Sequence, residues 1–264
     1  MTEIPRDHPR YESLSLRETI TRCVELGITS RQGLIAHGRG EAIDYLIGEK
    51  TLPTALKAED AAVATLLTAK NPVISVNGNT AALVPEETIE LAELIGAKIE
   101  INLFHRTEER IARIKDHLER LGAEDVLGLE PDEKIPGLTS ERAKVSKKGI
   151  FSADAVLVPL EDGDRCESLV RMGKIVIAID INPFSRTSRM AQISIIDNVI
   201  RAMPNMIACA KVLTENAVPK KDLLAMIEAF DNRENLNETI KEIKRGLNEG
   251  RLEESTGYSK LSIW

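Results

Sequence analysis

The sequence predicts an α/β fold, in which a mostly parallel sheet is flanked by helices, with a helical N-terminal region and further C-terminal helices. Residues 1–70 show helical periodicity and no strand-like run. Between residues 71 and 200, short runs rich in Val and Ile alternate with amphipathic segments, which is typical of βαβ units. Residues 201–264 are helical again. We expect a single α/β domain over residues 1–264, because this length requires no second core.

The N-terminal region predicts three helices. Ser15 and Glu18 form a capping-box pattern that predicts the start of the first helix, and Gly27 predicts its end. The glycines on either side of Arg39 predict an interruption of the second helix. The third ends before Pro72, because the residue that precedes a proline disfavours helical backbone. The three helices are expected at residues 15–27, 32–47 and 55–69.

The core predicts five strands, because short apolar runs alternate there with helical segments. The run at 175–179 is β-branched apart from Ala178 and free of polar alternation, which is typical of a strand buried on both faces. The runs lie at residues 73–76, 98–103, 155–158, 175–179 and 193–196, with helices at about 85–95, 108–121 and 165–172. Residues 128–150 are polar and contain two prolines, which predicts a surface excursion over either the sheet edge or the active site. Later helices are expected at 220–230 and 236–247, and residues 257–264 are expected to dock on the body or on a second subunit.

Composition favours a small-molecule partner. The formal net charge of -7 argues against a general nucleic-acid or membrane surface, and only 3% of residues are aromatic. The three cysteines are far apart and lack metal-ligand spacing, so we expect reduced thiols. A polar N-terminus and the absence of a long apolar stretch predict a cytoplasmic protein.

The densest group of candidate ligand-binding residues follows the two last strands. Asp180 and Asn182 come directly after a buried run and can accept hydrogen bonds from hydroxyls, while Arg186 and Thr187 can bind anionic oxygens. This pattern suits a nucleotide, with ribose on the carboxylate and phosphates on the arginines. The alternative is structural: Asp180 and Asn182 form Asx turns, and Asp197 caps the helix that follows.

Three other segments carry candidate chemistry. Residues 77–80, Asn-Gly-Asn-Thr, follow the first strand and can form an anion site or an ordinary helix-capping loop. His105 and Arg106 follow the second strand, although Thr107 with Glu108 can also simply start a helix. The acidic turn at residues 161–165 can help to hold a divalent cation or can be a solvated helix start. P-loop and dinucleotide glycine patterns are absent.

Several long motifs carry a family resemblance. They are HGRGEA at 37–42, SVNGNTAALVPEE at 75–87, INLFHRTEER at 101–110, IDINPFSRTSRMA at 179–191 and IIDNVIRAMPNM at 195–206. Together they resemble the archaeal 4-phosphopantoate–beta-alanine ligases, also called phosphopantothenate synthetases. The resemblance implies a Rossmann-like homodimer that condenses 4-phosphopantoate with beta-alanine, using ATP and Mg2+, in coenzyme A biosynthesis. It also implies an acyl-adenylate, with release of pyrophosphate and AMP.

The resemblance also implies site residues. The nucleotide contacts that it carries over are Arg17, Arg39, Asp180, Ile181, Asn182, Arg186, Thr187, Asn198 and Val199. For the substrate phosphate we expect a cradle at Asn77, Gly78, Asn79 and Thr80, with His105 or Arg106 assisting. His105 is the candidate base for the attacking amine. Metal ligands are not assigned, and two alternatives stay open: a hydroxy-acid kinase, which would release ADP, and a non-catalytic ATP-binding sensor.

Overall fold

The computed structural model describes residues 4–8, 10–160 and 162–248. Its helices are α1 (Tyr11–Glu25), α2 (Arg31–Ile47), α3 (Pro53–Thr68), α4 (Gly78–Leu83), α5 (Pro85–Ile95), α6 (Glu108–Arg120), α7 (Gly163–Arg171), α8 (Arg186–Met190), α9 (Val199–Glu215), α10 (Lys220–Glu228) and α11 (Asn232–Asn248). Its strands are β1 (Pro72–Val76), β2 (Lys98–Ile101), β3 (Glu133–Lys134), β4 (Lys144–Val145), β5 (Ala155–Pro159), β6 (Ile175–Asp180) and β7 (Ile193–Ile196).

The main sheet has the order β2-β1-β5-β6-β7, and every neighbouring pair is parallel. The predicted α/β fold with a parallel, Rossmann-like sheet flanked by helices is therefore confirmed. Counted within this sheet alone, the strand order is 2-1-3-4-5, so the order reverses between β1 and β5. In doubly wound sheets, the carboxyl ends of the strands at such a reversal form a crevice.

Both faces of the sheet are covered, which explains the unbroken apolar runs. On one face Ile74, Leu157 and Ile177 belong to the larger core, which α3, α5, α6 and α9 complete. On the other face Val73 and Val156 belong to a second core, to which α7 contributes. The central strands β1, β5 and β6 thus present apolar residues to two layers of structure.

The polar excursion after β2 covers the second face of the sheet. Its Ile135, Val145 and Ile150 are buried in the second core. Glu100, fully buried on β2, fixes its path by accepting hydrogen bonds from the Ser146 and Ile150 amides at 2.8 and 2.6 Å. The sequence left two positions open for this segment, over the sheet edge or over the active site. The structure seats it on a sheet face and brings its short antiparallel hairpin, β3 with β4, close to the carboxyl edge.

Two predicted features of the N-terminal helices are wrong. The first helix begins at Tyr11 rather than Ser15, because the Leu14 amide already donates to the Arg10 carbonyl and closes a turn upstream. The second helix is continuous through Gly38 and Gly40. Two glycines cost helix stability but do not remove a backbone donor, so a helix that is capped at Ser30 and ended by left-handed Gly48 tolerates them.

Other boundaries differ more modestly. Strand β2 ends at Ile101, two residues before the predicted end, and the short helix α4 was not predicted. The tail at residues 257–264 lies outside the described residues.

The three cysteines are free thiols. None of the helices in the described ranges combines the length and apolar character needed to cross a membrane.

Candidate active site

A cleft of about 240 Å³ opens at the carboxyl ends of β2, β1 and β5. It lies at the reversal of strand order, where ligand sites form in sheets of this type. Its lining includes six residues that were singled out in the sequence, Arg39, Asn77, Gly78, Asn79, His105 and Asp162. It also includes Arg110 and Arg142, which were not.

Helix α2 crosses this edge of the sheet from β1 to β7. Near its start the Gly33 carbonyl accepts a hydrogen bond from Asn79 at 3.0 Å. Gly40 lies against Ile181 after β6, where an added Cβ would sit 3.3 Å from the Ile181 Cδ1. Near its end, Asp44 accepts from Asn198 after β7 at 3.1 Å. Arg39 therefore projects from the middle of a helix that links the cleft to the β6 and β7 loops.

The turn at residues 77–80 uses most of its polar groups to hold the fold together. The Asn77 Oδ1 caps α4 by accepting from the Asn79 and Thr80 amides, and its Nδ2 donates to the Pro159 carbonyl at 2.7 Å. The Asn79 Oδ1 accepts from Thr29 at 2.5 Å. Thr80 is fully buried. Asn77, Gly78 and Asn79 thus form a wall of the cleft, while Thr80 lies beneath it.

Gly78 is required by close packing. A Cβ at this position would sit 2.8 Å from the Ile28 carbonyl oxygen and 3.0 Å from the Arg110 Nη2. The glycine thereby lets the loop between α1 and α2 approach the end of β1. The result is a narrow cleft rather than an open edge.

His105 and Arg106 lie next to each other in sequence but serve different surfaces. His105 lines the cleft, is exposed, and makes an edge-to-face contact with Phe104 at 4.9 Å between ring centroids. Arg106 instead donates to the Gly128 and Leu129 carbonyls at 2.7 and 3.0 Å and lines a separate groove beside the excursion. Burial lowers the pKa of Arg106.

Arg110 and Arg142 also line the cleft and were not assigned from the sequence. Arg110 lies in the first turn of α6, which Thr107 caps. Arg142 lies in a 3-10 turn of the excursion and forms an ion pair with Asp162 at 2.9 Å. The sequence signal for Arg110 was available, since it ends the motif INLFHRTEER. Nothing in the local pattern around Arg142 predicts its position.

The loop after β6 forms the Asx turns that were the structural alternative for Asp180 and Asn182. Asp180 accepts from the Asn182 amide at 3.0 Å and from the Ser185 hydroxyl at 2.5 Å. Asn182 accepts from the Phe184 amide at 2.9 Å. Burial raises the pKa of Asp180. These bonds shape the loop and are compatible with a nucleotide contact on the remaining lone pairs.

The residues that follow the Asx turns lie beside α7. Arg186 forms an ion pair with Asp164 and passes over Gly163, where a Cβ would collide with it. Thr187 is buried. The β6 loop therefore reaches the start of α7, one residue from the Asp162 that lines the cleft.

The end of β7 is built around a buried charge network. Asn198, rather than Asp197, caps α9 by accepting from the Ile200 amide at 3.4 Å. Asp197 accepts from Arg201 at 2.8 Å and from Thr51 at 2.5 Å. Asp44 accepts from the same arginine at 2.6 Å. The network fixes Asn198 and the end of α2 relative to each other.

Of the nine predicted nucleotide contacts, Arg39 is the one that lines the cleft in the described part of the chain, and Val199 and Arg17 have structural roles elsewhere. Val199, at the start of α9, is buried. Arg17 on α1 makes a bidentate pair with Glu41 of α2, with a shortest distance of 2.6 Å. The structure thus brings Arg39, Asn77, Gly78, Asn79 and His105 together in the cleft, and places the β6 and β7 residues beside it.

Comparison with known proteins identifies the family. The family model described as phosphopantothenate/pantothenate synthetase matches residues 54–246. The chain belongs to this family. Members that are similar to it include the 4-phosphopantoate–beta-alanine ligase of Methanosarcina mazei, 55% identical over 98% of this chain and 100% of that protein. The proteins of the same name from Thermococcus onnurineus and Thermococcus kodakarensis are 54% and 53% identical, each over 92% of this chain and 93% of its own length.

These matches confirm the resemblance that the motifs indicated. The phosphopantothenate/pantothenate synthetase match begins within α3 and ends within α11, so it includes the whole main sheet and every strand end around the cleft. The relatives extend the similarity over α1 and α2 as well. Arg39 and the helix that carries it therefore belong to the region shared with these relatives.

Proposed function

We propose that this chain is an ATP-dependent ligase that condenses 4-phosphopantoate with beta-alanine to give 4'-phosphopantothenate in coenzyme A biosynthesis. The observation that carries the proposal is a cleft lined by arginines at the carboxyl edge of the sheet, beside the polar loops after β6 and β7. Helix α2, which carries Arg39, lies across both the cleft and these loops. Similarity to relatives named 4-phosphopantoate–beta-alanine ligase supports the same reaction.

The acid occupies the cleft and the nucleotide occupies the loops after β6 and β7. Asp180 and Asn182 accept from the ribose hydroxyls, while Arg186 and Arg39 bind phosphate oxygens. Arg39 is exposed toward the cleft and precedes the glycine that packs on Ile181, so it lies between the two regions. This arrangement brings the acid's carboxylate toward the α-phosphate.

The reaction requires activation of the acid. A carboxylate resists attack by an amine because it is anionic and has a poor leaving group. Attack of its oxygen on the α-phosphorus of ATP forms an acyl-adenylate and releases pyrophosphate. The free amine of beta-alanine then attacks the acyl carbon, and AMP leaves. Arginines aimed at the developing phosphate charge are typically worth about 2.7–4 kcal/mol each.

Mg2+ fits this site as an ion that arrives with the nucleotide. Within the described residues no group of three metal-ligating side chains exists. Mg2+ commonly uses only one or two carboxylates beside substrate phosphates and waters. Asp162 is half-exposed at the cleft wall and would supply such an oxygen. The bound ion would neutralise phosphate charge.

His105 is the proposed base for the amine. Its ring is exposed at the cleft and contacts Phe104, so it can approach a substrate without the loss of a buried partner.

We also propose the homodimer that the family resemblance implied. Sedimentation velocity should then give a species of twice the mass of one chain, and a concentration-independent monomer would contradict the dimer.

The decisive experiment supplies the purified protein with ATP, Mg2+, 4-phosphopantoate and beta-alanine, and omits each in turn. Mass spectrometry of the products should show phosphopantothenate with stoichiometric AMP, dependent on every component. ADP would instead indicate an acyl-phosphate route or a kinase. ATP binding without turnover would favour a nucleotide sensor and would overturn the proposal.

A further inference from the structure

Asn102 ties the polar excursion to the sheet at the edge of the cleft. It directly follows β2 and is fully buried, and its backbone amide donates to the Val76 carbonyl at 2.8 Å. Its Nδ2 donates to the Arg142 carbonyl at 3.2 Å and to the Lys144 carbonyl at 3.0 Å. Its Oδ1 is buried and accepts no hydrogen bond from any described residue. Within the described ranges, the hydrogen bonds of this side chain are thus the two that hold the excursion.

These two bonds fix the turn that carries Arg142. Residues Glu141–Ala143 form a 3-10 turn and β4 begins at the next residue, so the two carbonyls that Asn102 holds lie on either side of Ala143. The Arg142 side chain is 7% exposed and forms an ion pair with Asp162, with its Nε 2.9 Å from the Oδ2. A guanidinium enclosed in this way has few accessible rotamers, so the position of its backbone decides where it meets the carboxylate.

Asp162 lies between the cleft and the loop after β6. It lines the cleft, its side chain is 47% exposed, and α7 begins at the next residue, Gly163. Gly163 packs against the Arg186 side chain, with which an added Cβ would collide. In the proposed function, the carboxylate therefore lies where the acid meets the nucleotide phosphates.

We propose that Asn102 and Arg142 are positioning residues that hold the Asp162 carboxylate in place for a nucleotide-bound Mg2+. The inference rests on the proposed function, which brings that ion to the cleft. A loose carboxylate binds metal less tightly because ordering its side chain costs entropy. Loss of a group that orients a metal ligand typically lowers metal affinity roughly 10- to 100-fold. Asn102 acts only through the turn that carries Arg142.

The test measures metal–nucleotide binding separately from turnover in the full chain. Isothermal titration calorimetry follows a non-hydrolysable ATP analogue, with Mn2+ in place of Mg2+ or with EDTA, for wild type, Asn102→Ala, Asp162→Asn and the double variant. Each single variant should weaken binding of the Mn2+ complex by roughly 10-fold or more without weakening binding of the metal-free analogue. The double variant should bind the Mn2+ complex no more weakly than Asp162→Asn, because Asn102 acts through that carboxylate.

Arg142→Lys is a second variant that leaves the Asn102 hydrogen bonds to the backbone in place. It keeps the charge but loses the guanidinium geometry, so it should show the same metal-specific loss. It decides the question even if Asn102→Ala does not fold.

Asp132→Ala is the matched control. Its carboxylate also holds the excursion, by accepting from the Lys147 amide at 2.6 Å, but at the opposite end of the β3 and β4 hairpin. It should bind the Mn2+ complex as wild type does. Equal losses with and without metal, additive losses in the double variant, or no metal-specific loss in Asp162→Asn or Arg142→Lys would overturn the inference. The expected metal-specific losses in a protein that forms no phosphopantothenate would support the positioning role and overturn the ligase proposal alone.

Discussion

In the proposed arrangement, Arg39 lies at the junction between the acid and the nucleotide. It is exposed and lines the cleft, so its loss leaves the core intact. We expect Arg39→Ala to lower kcat by roughly 10²- to 10³-fold, since one well-aimed donor to developing phosphate charge is worth that much. Steady-state assays should show this decrease, whereas Arg31→Ala, in the exposed first turn of α2, should keep wild-type kcat. Comparable losses in both variants would remove Arg39 from the chemistry.

His105 offers a test that separates the two halves of the reaction. If His105 is the base for the amine, as proposed, it has no part in adenylate formation. We therefore expect His105→Ala to slow amide formation while acid-dependent exchange of pyrophosphate into ATP continues. His117→Ala, on the distal turn of α6, is the control. Unchanged rates for both partial reactions in His105→Ala would rule out the role.

Glu59 makes the stability of the fold depend on pH. It is 1% exposed, and burial with the nearby Asp197 raises its pKa to about 8. Between the unfolded pKa near 4.5 and this value, the folded state holds a proton that the unfolded state releases. The free energy of unfolding should therefore fall as pH rises across this window, by on the order of a few kcal/mol.

The variant Glu59→Gln should remove that part of the pH dependence, because its neutral amide mimics the protonated acid. Urea unfolding at several pH values from 5 to 9 would measure it. The exposed Glu93→Gln should leave the wild-type slope in place. A Glu59→Gln variant that is as pH-dependent as wild type would contradict a protonated Glu59.

At the scale of elements, the glycines of α2 divide into two kinds. A Cβ at Gly38 would meet nothing within 4 Å, while one at Gly33 would collide with the Asn79 and Thr29 side-chain oxygens. Gly38→Ala should therefore raise the free energy of unfolding by about 0.5–1 kcal/mol through chain entropy. Gly33→Ala should lower it by about 1–3 kcal/mol through overpacking. Denaturant unfolding of the pair measures both, and equal shifts would contradict this packing.

Elements buried on both sides were predictable from the sequence, and those fixed by distant partners were not. Strand β7 and helix α5 have the predicted bounds, since their apolar patterns report burial directly. The two-residue strands β3 and β4 carry no such pattern, because their position depends on the hydrogen bonds that Glu100 accepts from Ser146 and Ile150. Asn77 was predicted to line the site because it directly follows β1, and His105 because it lies shortly after β2. Arg142 was missed because only the folded excursion brings it to the cleft.

For the whole molecule, one helix joins two regions of the site. Helix α2 is tied to the β1 end through Asn79 and Gly33, and to the β7 end through Asp44, Asn198 and Arg201. If the acid binds near β1 and the nucleotide near β7, damage at either end should affect mainly one substrate. Measuring both effects therefore tests the placement of the acid and the placement of the nucleotide together.

Asp44→Asn loses the charge that pairs with Arg201 and should cost roughly 1–3 kcal/mol of stability. Because the amide keeps one acceptor oxygen for both Asn198 and Arg201, Asn198 is held less firmly, and KM for ATP should rise more than KM for the acid. Gly33→Ala should show the opposite pattern, since it displaces Asn79 at the cleft. Asp116→Asn, exposed on α6, is the control. Steady-state kinetics with each substrate varied in turn would reveal the crossed pattern, and parallel changes in both variants would place acid and nucleotide in one undivided pocket.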